Sequence, residues 1–155
     1  MEEQTNSYDL LNPNNIVISN IRNRLQPRIV VMNKAYPVAT EIAGIAPFGI
    51  DMYQGKRYMK FAITQPNLVE LFRAIDIKLM SLVTGLKSSM YGQNIILTLL
   101  DKAVKICDED GNALSSYAID AGCKMTITIE LGDIYTFNNI STYKWLVKNI
   151  IIIHK

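Results

Sequence analysis

The sequence predicts a mainly β domain with a single α-helix. Residues 57–64 and 124–137 alternate apolar and polar side chains, as strands with one buried face do. Residues 64–85 show instead the three-and-four spacing of an amphipathic helix. A chain of 155 residues, 49% of them hydrophobic, is long enough for one compact domain whose core needs neither disulfides nor a metal.

The first part of the chain predicts a leader, one strand and a connection. Residues 1–15 are acidic and polar, and we expect a flexible leader there, followed by a single domain over residues 16–155. Pro27 excludes a continuous helix ahead of the β-branched residues 28–33, which we predict as a strand. Residues 37–47 contain two prolines and a glycine and are predicted to be an irregular connection.

A β-hairpin is predicted next, from residues 48–53 and 57–64 joined by Gln54-Gly55-Lys56. Glycine favours such a turn because it adopts positive φ without strain. Alternation in the second strand puts Tyr58, Lys60 and Ala62 on the outer face. It puts Met59, Phe61 and Ile63 on the core face.

The helix has clear boundaries in the sequence. Pro66 stands in the first turn, which tolerates proline, and Gly85 follows the end. Seven apolar residues recur on one face over about 17 residues. They are Leu68, Leu71, Phe72, Ile75, Leu79, Leu82 and Val83.

The second half predicts three long strands, over residues 94–107, 124–137 and 142–153. Residues 108–112 form an extra hairpin turn, because their order lacks the ligand positions of an EF-hand loop. Asn138-Asn139 turns the chain before the last strand.

This order of elements predicts an OB-fold-like, five-stranded antiparallel barrel with the helix between the third and fourth strands and an extra hairpin. An α+β sandwich with another topology is the alternative.

The composition excludes several kinds of chemistry. The cysteines, Cys107 and Cys123, lack the spacing of a zinc site and are expected to be reduced, and the single histidine, His154, is the penultimate residue. We therefore expect no catalytic residue, no metal and no cofactor. Neither a secretory signal nor a membrane span is recognisable, which predicts an intracellular protein with no membrane partner.

The net charge of +2 is unevenly distributed along the chain. Residues 16–60 carry +5 and residues 134–155 carry +3, whereas residues 101–133 carry −4. If the two basic segments lie side by side, they form a positive stripe that attracts polyanions. Ordinary solvated surface charges are the alternative.

Tyrosines interleaved with cations point to a site for single-stranded nucleic acid, since rings stack on bases and cations neutralise phosphates. The barrel face on which OB-folds bind oligonucleotides would be formed by the hairpin and would also include Phe61. The closing strands repeat the pattern, with Tyr143 and Trp145 opposite Lys144 and Lys148, and Trp145 is expected in the core. The predicted nucleic-acid-binding residues are Tyr53, Lys56, Arg57, Tyr58, Lys60, Tyr91, Tyr143, Lys144 and Lys148.

The segments GKRYMKFAI, NLVELFRAI and TYKWLVKNIIII, in this order of elements, resemble the single-stranded DNA-binding proteins of large cytoplasmic DNA viruses, such as poxviruses and African swine fever virus. The resemblance covers about residues 28–153. It implies a non-enzymatic protein that coats single strands in viral replication, recombination or repair, in the host cytoplasm. Single-stranded DNA would be the partner, with RNA, replication proteins and self-association on DNA as further expectations.

Two other functions fit the residues. A protein-interaction module or accessory subunit would use apolar loop residues, namely Met90, Leu86 and Ile45. A metal-dependent nuclease would need convergent carboxylates, drawn from Asp101, Asp108, Asp110 and Glu130.

Overall fold

The computed structural model describes residues 11–21, 28–34 and 36–153, which form eleven strands and one α-helix. The helix is α1 (Pro66–Leu82). The strands are β1 (Ile16–Ile21), β2 (Arg28–Asn33), β3 (Tyr36–Pro37), β4 (Ala39–Ala46), β5 (Ile50–Tyr53), β6 (Lys56–Ile63), β7 (Ile95–Asp108), β8 (Cys123–Leu131), β9 (Ile134–Phe137), β10 (Ile140–Thr142) and β11 (Trp145–Ile152).

Five strands form a closed barrel in the order β4-β8-β11-β7-β6, with β6 pairing back to β4. Neighbouring strands are antiparallel except β7 and β11, which are parallel. The prediction of a mainly β, OB-like barrel with one helix is therefore confirmed.

The position of the helix among the barrel strands is corrected. Residues 37–47 are not an irregular connection, because β4 occupies most of them and is the first barrel strand. The predicted strand over residues 28–33 exists as β2, but it belongs to another sheet. Counted within the barrel, α1 thus lies between the second and third strands rather than between the third and fourth.

Gly44 explains why the first barrel strand contains a residue that weakens strands. It pairs with Ile63 where β4 meets β6 and closes the barrel. A Cβ atom at this position would lie 2.1 Å from the backbone oxygen of Ala62 and 2.7 Å from the Phe61 ring. The close approach of the two strands requires glycine.

A second sheet has the order β1-β2-β9-β10, with β3 paired to β2. The two closing strands predicted from the sequence each divide between the sheets. The first changes sheet at Gly132-Asp133, between β8 and β9, and the second at Tyr143-Lys144, between β10 and β11. Both changes occur at one place, where the Gly132 N–H donates to the Lys144 carbonyl at 3.0 Å.

Three predicted turns are confirmed. Gln54 and Gly55 have φ values of 52° and 77° in a two-residue turn, so that Tyr53 pairs with Lys56. Asn138 and Asn139 have φ values of 53° and 66° and join β9 to β10. Residues 108–112 turn the chain, with Asp108 Oδ1 accepting from two backbone N–H groups of this turn.

The barrel interior and the helix share one core. As predicted, Met59, Phe61 and Ile63 face inward and are fully buried. Trp145 is also buried, and its ring meets the Phe72 ring of α1 edge-on at 4.8 Å between centroids. This contact joins the helix to the last barrel strand.

The packed domain extends further toward the N-terminus than residue 16. Residues 1–10 of the predicted leader lie outside the described residues. Leu11 is buried in the core and Pro13–Asn15 form a 3-10 turn, which contradicts a flexible leader over residues 11–15.

Candidate functional site

A groove of about 450 Å³ runs across the outer face of the barrel, beside the second sheet. We call it the barrel groove. Strand pairing aligns Tyr58 with Leu99, Leu99 with Leu146, and Leu146 with Glu130. Because paired residues point to the same face, these four side chains form a row across β6, β7, β11 and β8. The lining residues are Lys56, Tyr58, Leu99, Glu130, Leu131, Gly132, Asp133, Tyr135, Thr142, Tyr143, Lys144 and Leu146.

The floor of the barrel groove is apolar and its borders are aromatic and charged. Leu99 and Leu146 lie between Tyr58 and Glu130, and three strand spacings put about 14 Å between the ends of the row. Tyr135, on β9 of the second sheet, also lines the groove and is 39% exposed. A flat ring could lie on the leucines with tyrosines near it.

Two lysines supply positive charge to the barrel groove. Lys56 comes from the hairpin turn and Lys144 from the junction before β11. Partial burial, and then repulsion from Lys56, lower the pKa of Lys144 below its usual value of 10.5. Two like charges in one groove favour an anionic ligand, because it would relieve their repulsion.

A second group of aromatic side chains surrounds Lys60, two residues along β6 from Tyr58 on the same face. The Lys60 ammonium lies 4.2 Å from the centroid of the Tyr91 ring and 5.7 Å from that of Phe48. Tyr91 is 62% exposed and Phe48 61% exposed. The outer face of β6 therefore carries Lys56, Tyr58 and Lys60 in alternation, with exposed aromatic rings around its last member.

Tyr143 lines the groove, but its main role is structural. It is 5% exposed, and its hydroxyl donates to Asp76 Oδ1 at 2.5 Å and accepts from the Ser89 hydroxyl at 2.9 Å. Burial, and then the hydrogen bond to Asp76, raise the pKa of Tyr143. Asp76 also accepts from Ser88 and from the Ser89 backbone, so the network joins α1, the loop after it and the junction between β10 and β11. The Tyr143 ring cannot present its face to a base.

Lys148 is engaged within the protein. Its ammonium lies 2.7 Å from Asp101 Oδ2, and this hydrogen bond raises the pKa of Lys148 and lowers that of Asp101. It is therefore less available to a ligand than Lys56 or Lys144.

The remaining predicted residues lie at the hairpin. Tyr53 is 64% exposed beside Lys56. Arg57 pairs with Met52 and alternates with Tyr58, so it lies on the opposite face of β6. Phe61, predicted on the binding face as well as in the core, is fully buried.

The two basic segments lie side by side in the second sheet, where β2 pairs with β9, but in the barrel β7 separates β6 from β11. Their lysines nevertheless meet at the barrel groove, because Lys56 and Lys144 extend toward it from either side of β7. At the barrel groove, the positive site thus forms because two side chains extend to it, and not because β6 and β11 pair.

Sequence reasoning did not include Phe48 and Tyr135 in the site. Phe48 is the first residue of the strand predicted over residues 48–53, but it lies in a turn after Pro47 and the strand begins only at Ile50, so alternation does not apply to it. Tyr135 falls in the alternating run over residues 124–137, but the change of sheet at Gly132 gives it a position that alternation along one strand does not predict.

The carboxylates proposed for a nuclease do not form a metal site in the structure. Asp101 binds Lys148, and Asp108 accepts hydrogen bonds within its own turn. Across residues 11–21, 28–34 and 36–153, no three His, Cys, Asp or Glu side chains are grouped to hold a metal ion. In the same part of the chain, no helix is long and apolar enough to cross a membrane.

Comparison with known proteins found a likeness at the level of structure. No family model and no curated protein matches the sequence. One solved structure, a single-stranded DNA-binding protein from bacteriophage Enc34 with a C-terminal truncation, matches with a TM-score of 0.53 and 8% sequence identity, covering 89% of this chain and 95% of that chain. Another structure of the bacteriophage Enc34 single-stranded DNA-binding protein matches with a TM-score of 0.52 and 8% identity, covering 88% of this chain and 89% of that chain. The likeness extends over most of both chains and shows a shared fold, while the resemblance to proteins of poxviruses and African swine fever virus stays a prediction.

Proposed function

We propose that this protein binds single-stranded DNA along the barrel groove and the outer face of β6, without strong sequence preference and without catalysis. The observation that carries the proposal is the alternation of accessible rings and lysines on one surface. Tyr58 and Tyr135 lie with Lys56 and Lys144 at the groove, and Lys60 lies with its aromatic neighbours beyond it. Rings of this kind stack on bases of any sequence, and lysines neutralise the phosphates between them.

The shared fold supports the same function. Both Enc34 structures are described as single-stranded DNA-binding proteins, and they match this chain over nearly its whole length. We extend the proposal to a role in replication, recombination or repair of viral DNA in the host cytoplasm. RNA as a second ligand, contacts with replication proteins and self-association on DNA belong to the same proposal.

Titration of a labelled oligo-dT strand, followed by fluorescence anisotropy at low and moderate salt, tests binding. We expect the affinity to fall steeply with salt, since bound lysines release counterions from the strand. Undetectable binding even at low salt would contradict the proposal.

Tyr58→Ala tests the place of binding. Loss of one stacking ring should cost roughly 1–3 kcal/mol of binding free energy. Tyr117→Ala is the matched control, because Tyr117 is 92% exposed and is not among the residues that line the barrel groove. Equal losses in the two variants, or full affinity in both, would place the site elsewhere.

A protein-interaction module is the second candidate, but not through the residues expected from the sequence. Leu86 is buried, and Ile45 and Met90 are half-buried. The observation that favours this candidate is on the second sheet, where Phe137 is 78% exposed and Ile140 is 53% exposed. Capture of a stoichiometric protein partner that resists nuclease, and is lost in Phe137→Ser, would support it.

A further inference from the structure

Glu130 places a negative charge in the groove that is proposed to bind the phosphates of DNA. It lines the barrel groove together with Lys56 and Lys144. Other carboxylates on this side of the barrel are neutralised, with Asp101 Oδ2 at 2.7 Å from Lys148 and Asp133 Oδ2 at 3.0 Å from Arg28. Within the part of the chain that the structure describes, no hydrogen bond and no close ion pair engages Glu130. The charge of Lys148 acts on Glu130 only at longer range, and the Lys148 ammonium already lies 2.7 Å from Asp101 Oδ2. A phosphate placed beside it would be repelled, so a bound strand must present another group there.

The row across the barrel shows which group that would be. Glu130 stands at one end of the leucine floor, and Tyr58 stands at the other. A base that lies on Leu99 and Leu146 turns an edge toward Glu130. Its sugar and phosphates can then lie near the lysines, which separates the phosphates from the carboxylate.

We infer that Glu130 recognises the Watson–Crick edge of a guanine on the leucine floor, so that the barrel groove prefers guanine at one position of the strand. The inference rests on the proposed function. An ionised carboxylate only accepts hydrogen bonds, and its two oxygens match two parallel donors. In single strands, proteins recognise bases by this edge.

Guanine has the matching edge, because its N1–H and its N2 amino group donate side by side. Cytosine and adenine present one amino group next to an acceptor, and the N3–H of thymine lies between two carbonyl oxygens that the carboxylate would repel. A bidentate contact discriminates against a wrong base by roughly tenfold or more. The result is a preference within a binder that accepts other sequences.

Three labelled strands of equal length test the inference: oligo-dT, an alternating dT-dG strand, and the same alternating strand with inosine in place of guanine. Inosine keeps N1–H but lacks the N2 amino group, so it removes one of the two donors. We expect the dG strand to bind roughly tenfold tighter than the inosine strand. Glu130→Gln should reduce this difference to within about twofold, since an amide offers only one acceptor oxygen.

Glu41→Gln is the matched control. This substitution makes the same change of charge on the neighbouring strand β4, where Glu41 lines a different groove together with Lys105 and Asn149. It should retain the guanine preference. Circular dichroism and thermal melting of both variants establish that they are folded.

The outcomes separate this inference from the proposed function. Equal binding of all three strands by the unaltered protein, or an equal gain for all three in Glu130→Gln, would overturn the guanine site and leave single-strand binding intact. The equal gain would mean that the carboxylate acts only by repulsion. Absence of binding to every strand would overturn the proposed function itself.

Discussion

Replacing both groove lysines, in Lys56→Gln/Lys144→Gln, should change how DNA binding depends on salt. Both side chains line the barrel groove, and neither forms a close ion pair within the described residues. Each phosphate neutralised on a single strand contributes about 0.7 to the slope of log affinity against log salt. If each lysine contacts one phosphate, the double variant should lose about 1.4 from that slope.

The assay is anisotropy of labelled oligo-dT over a series from about 50 to about 300 mM salt, a range in which phosphate contacts weaken strongly. Lys102→Gln/Lys105→Gln is the control of equal charge, since both lysines are exposed and neither lines the barrel groove. Its slope should equal that of the unaltered protein. An unchanged slope in the double variant, or the same loss in the control, would refute the assignment of phosphates to the barrel groove.

Three further predictions concern the hydrogen bond of Tyr143, the close strand contact at Gly44 and the lowered pKa of Lys144. Tyr143→Phe should lower the free energy of unfolding by about 1.5–3 kcal/mol in urea denaturation, because the buried Asp76 carboxylate loses one donor; a change too small to measure would contradict this role. Gly44→Ala should destabilise by roughly 2–3 kcal/mol or more, since the added Cβ would lie 2.1 Å from a backbone oxygen, whereas Gly92→Ala, with 3.9 Å to the nearest atom, should stay within about 0.5 kcal/mol; comparable thermal melting shifts would argue against the close approach. A bound phosphate would raise the lowered pKa of Lys144 again, so oligo-dT affinity should decline as pH rises through a range that begins below 10.5, and Lys144→Arg should postpone this decline because arginine stays charged; identical pH profiles would exclude a phosphate contact at Lys144.

Local sequence patterns correctly predicted the elements that are determined by residues within or next to them. The helix Pro66–Leu82 has its proline at the start, an apolar stripe and Gly85 beyond the end, and all three act within a few residues. The turn at Gln54-Gly55 fixes its own hairpin for the same reason. Such elements need no information about the rest of the chain.

The elements that were missed depend on distant contacts. Strand β4 contains Gly44, which weakens a strand by propensity and is required because β6 approaches so closely. Nothing near Gly44 in the sequence indicates that approach. The long alternating run over residues 124–137 likewise contains no local sign that Gly132-Asp133 moves the chain from one sheet to the other.

The sequence predicted which residue types form the candidate site better than it predicted how they are arranged in space. Tyr58, Lys56 and Lys60 follow from alternation on one strand, and they do share the outer side of the barrel. Alternation also showed that Tyr143 and Lys144 face opposite sides, but it could not determine which of them faces inward. That depends on Asp76, which lies 67 residues away in the sequence.

Two adjacent residues at the junction between the two sheets contribute to stability and to the proposed DNA binding, respectively. At Tyr143-Lys144 the chain leaves the second sheet and enters the barrel, and the Lys144 carbonyl accepts from Gly132 at the matching point of the other closing strand. On the inner side Tyr143 is fixed by Asp76, and on the outer side Lys144 enters the groove. Because adjacent residues of an extended chain point in opposite directions, the buried hydrogen bond of Tyr143 determines the position of the half-buried Lys144. A variant at Tyr143 should therefore affect DNA binding through the position of Lys144, and so alter the salt dependence of binding, without the loss of stacking expected when Tyr58 is removed.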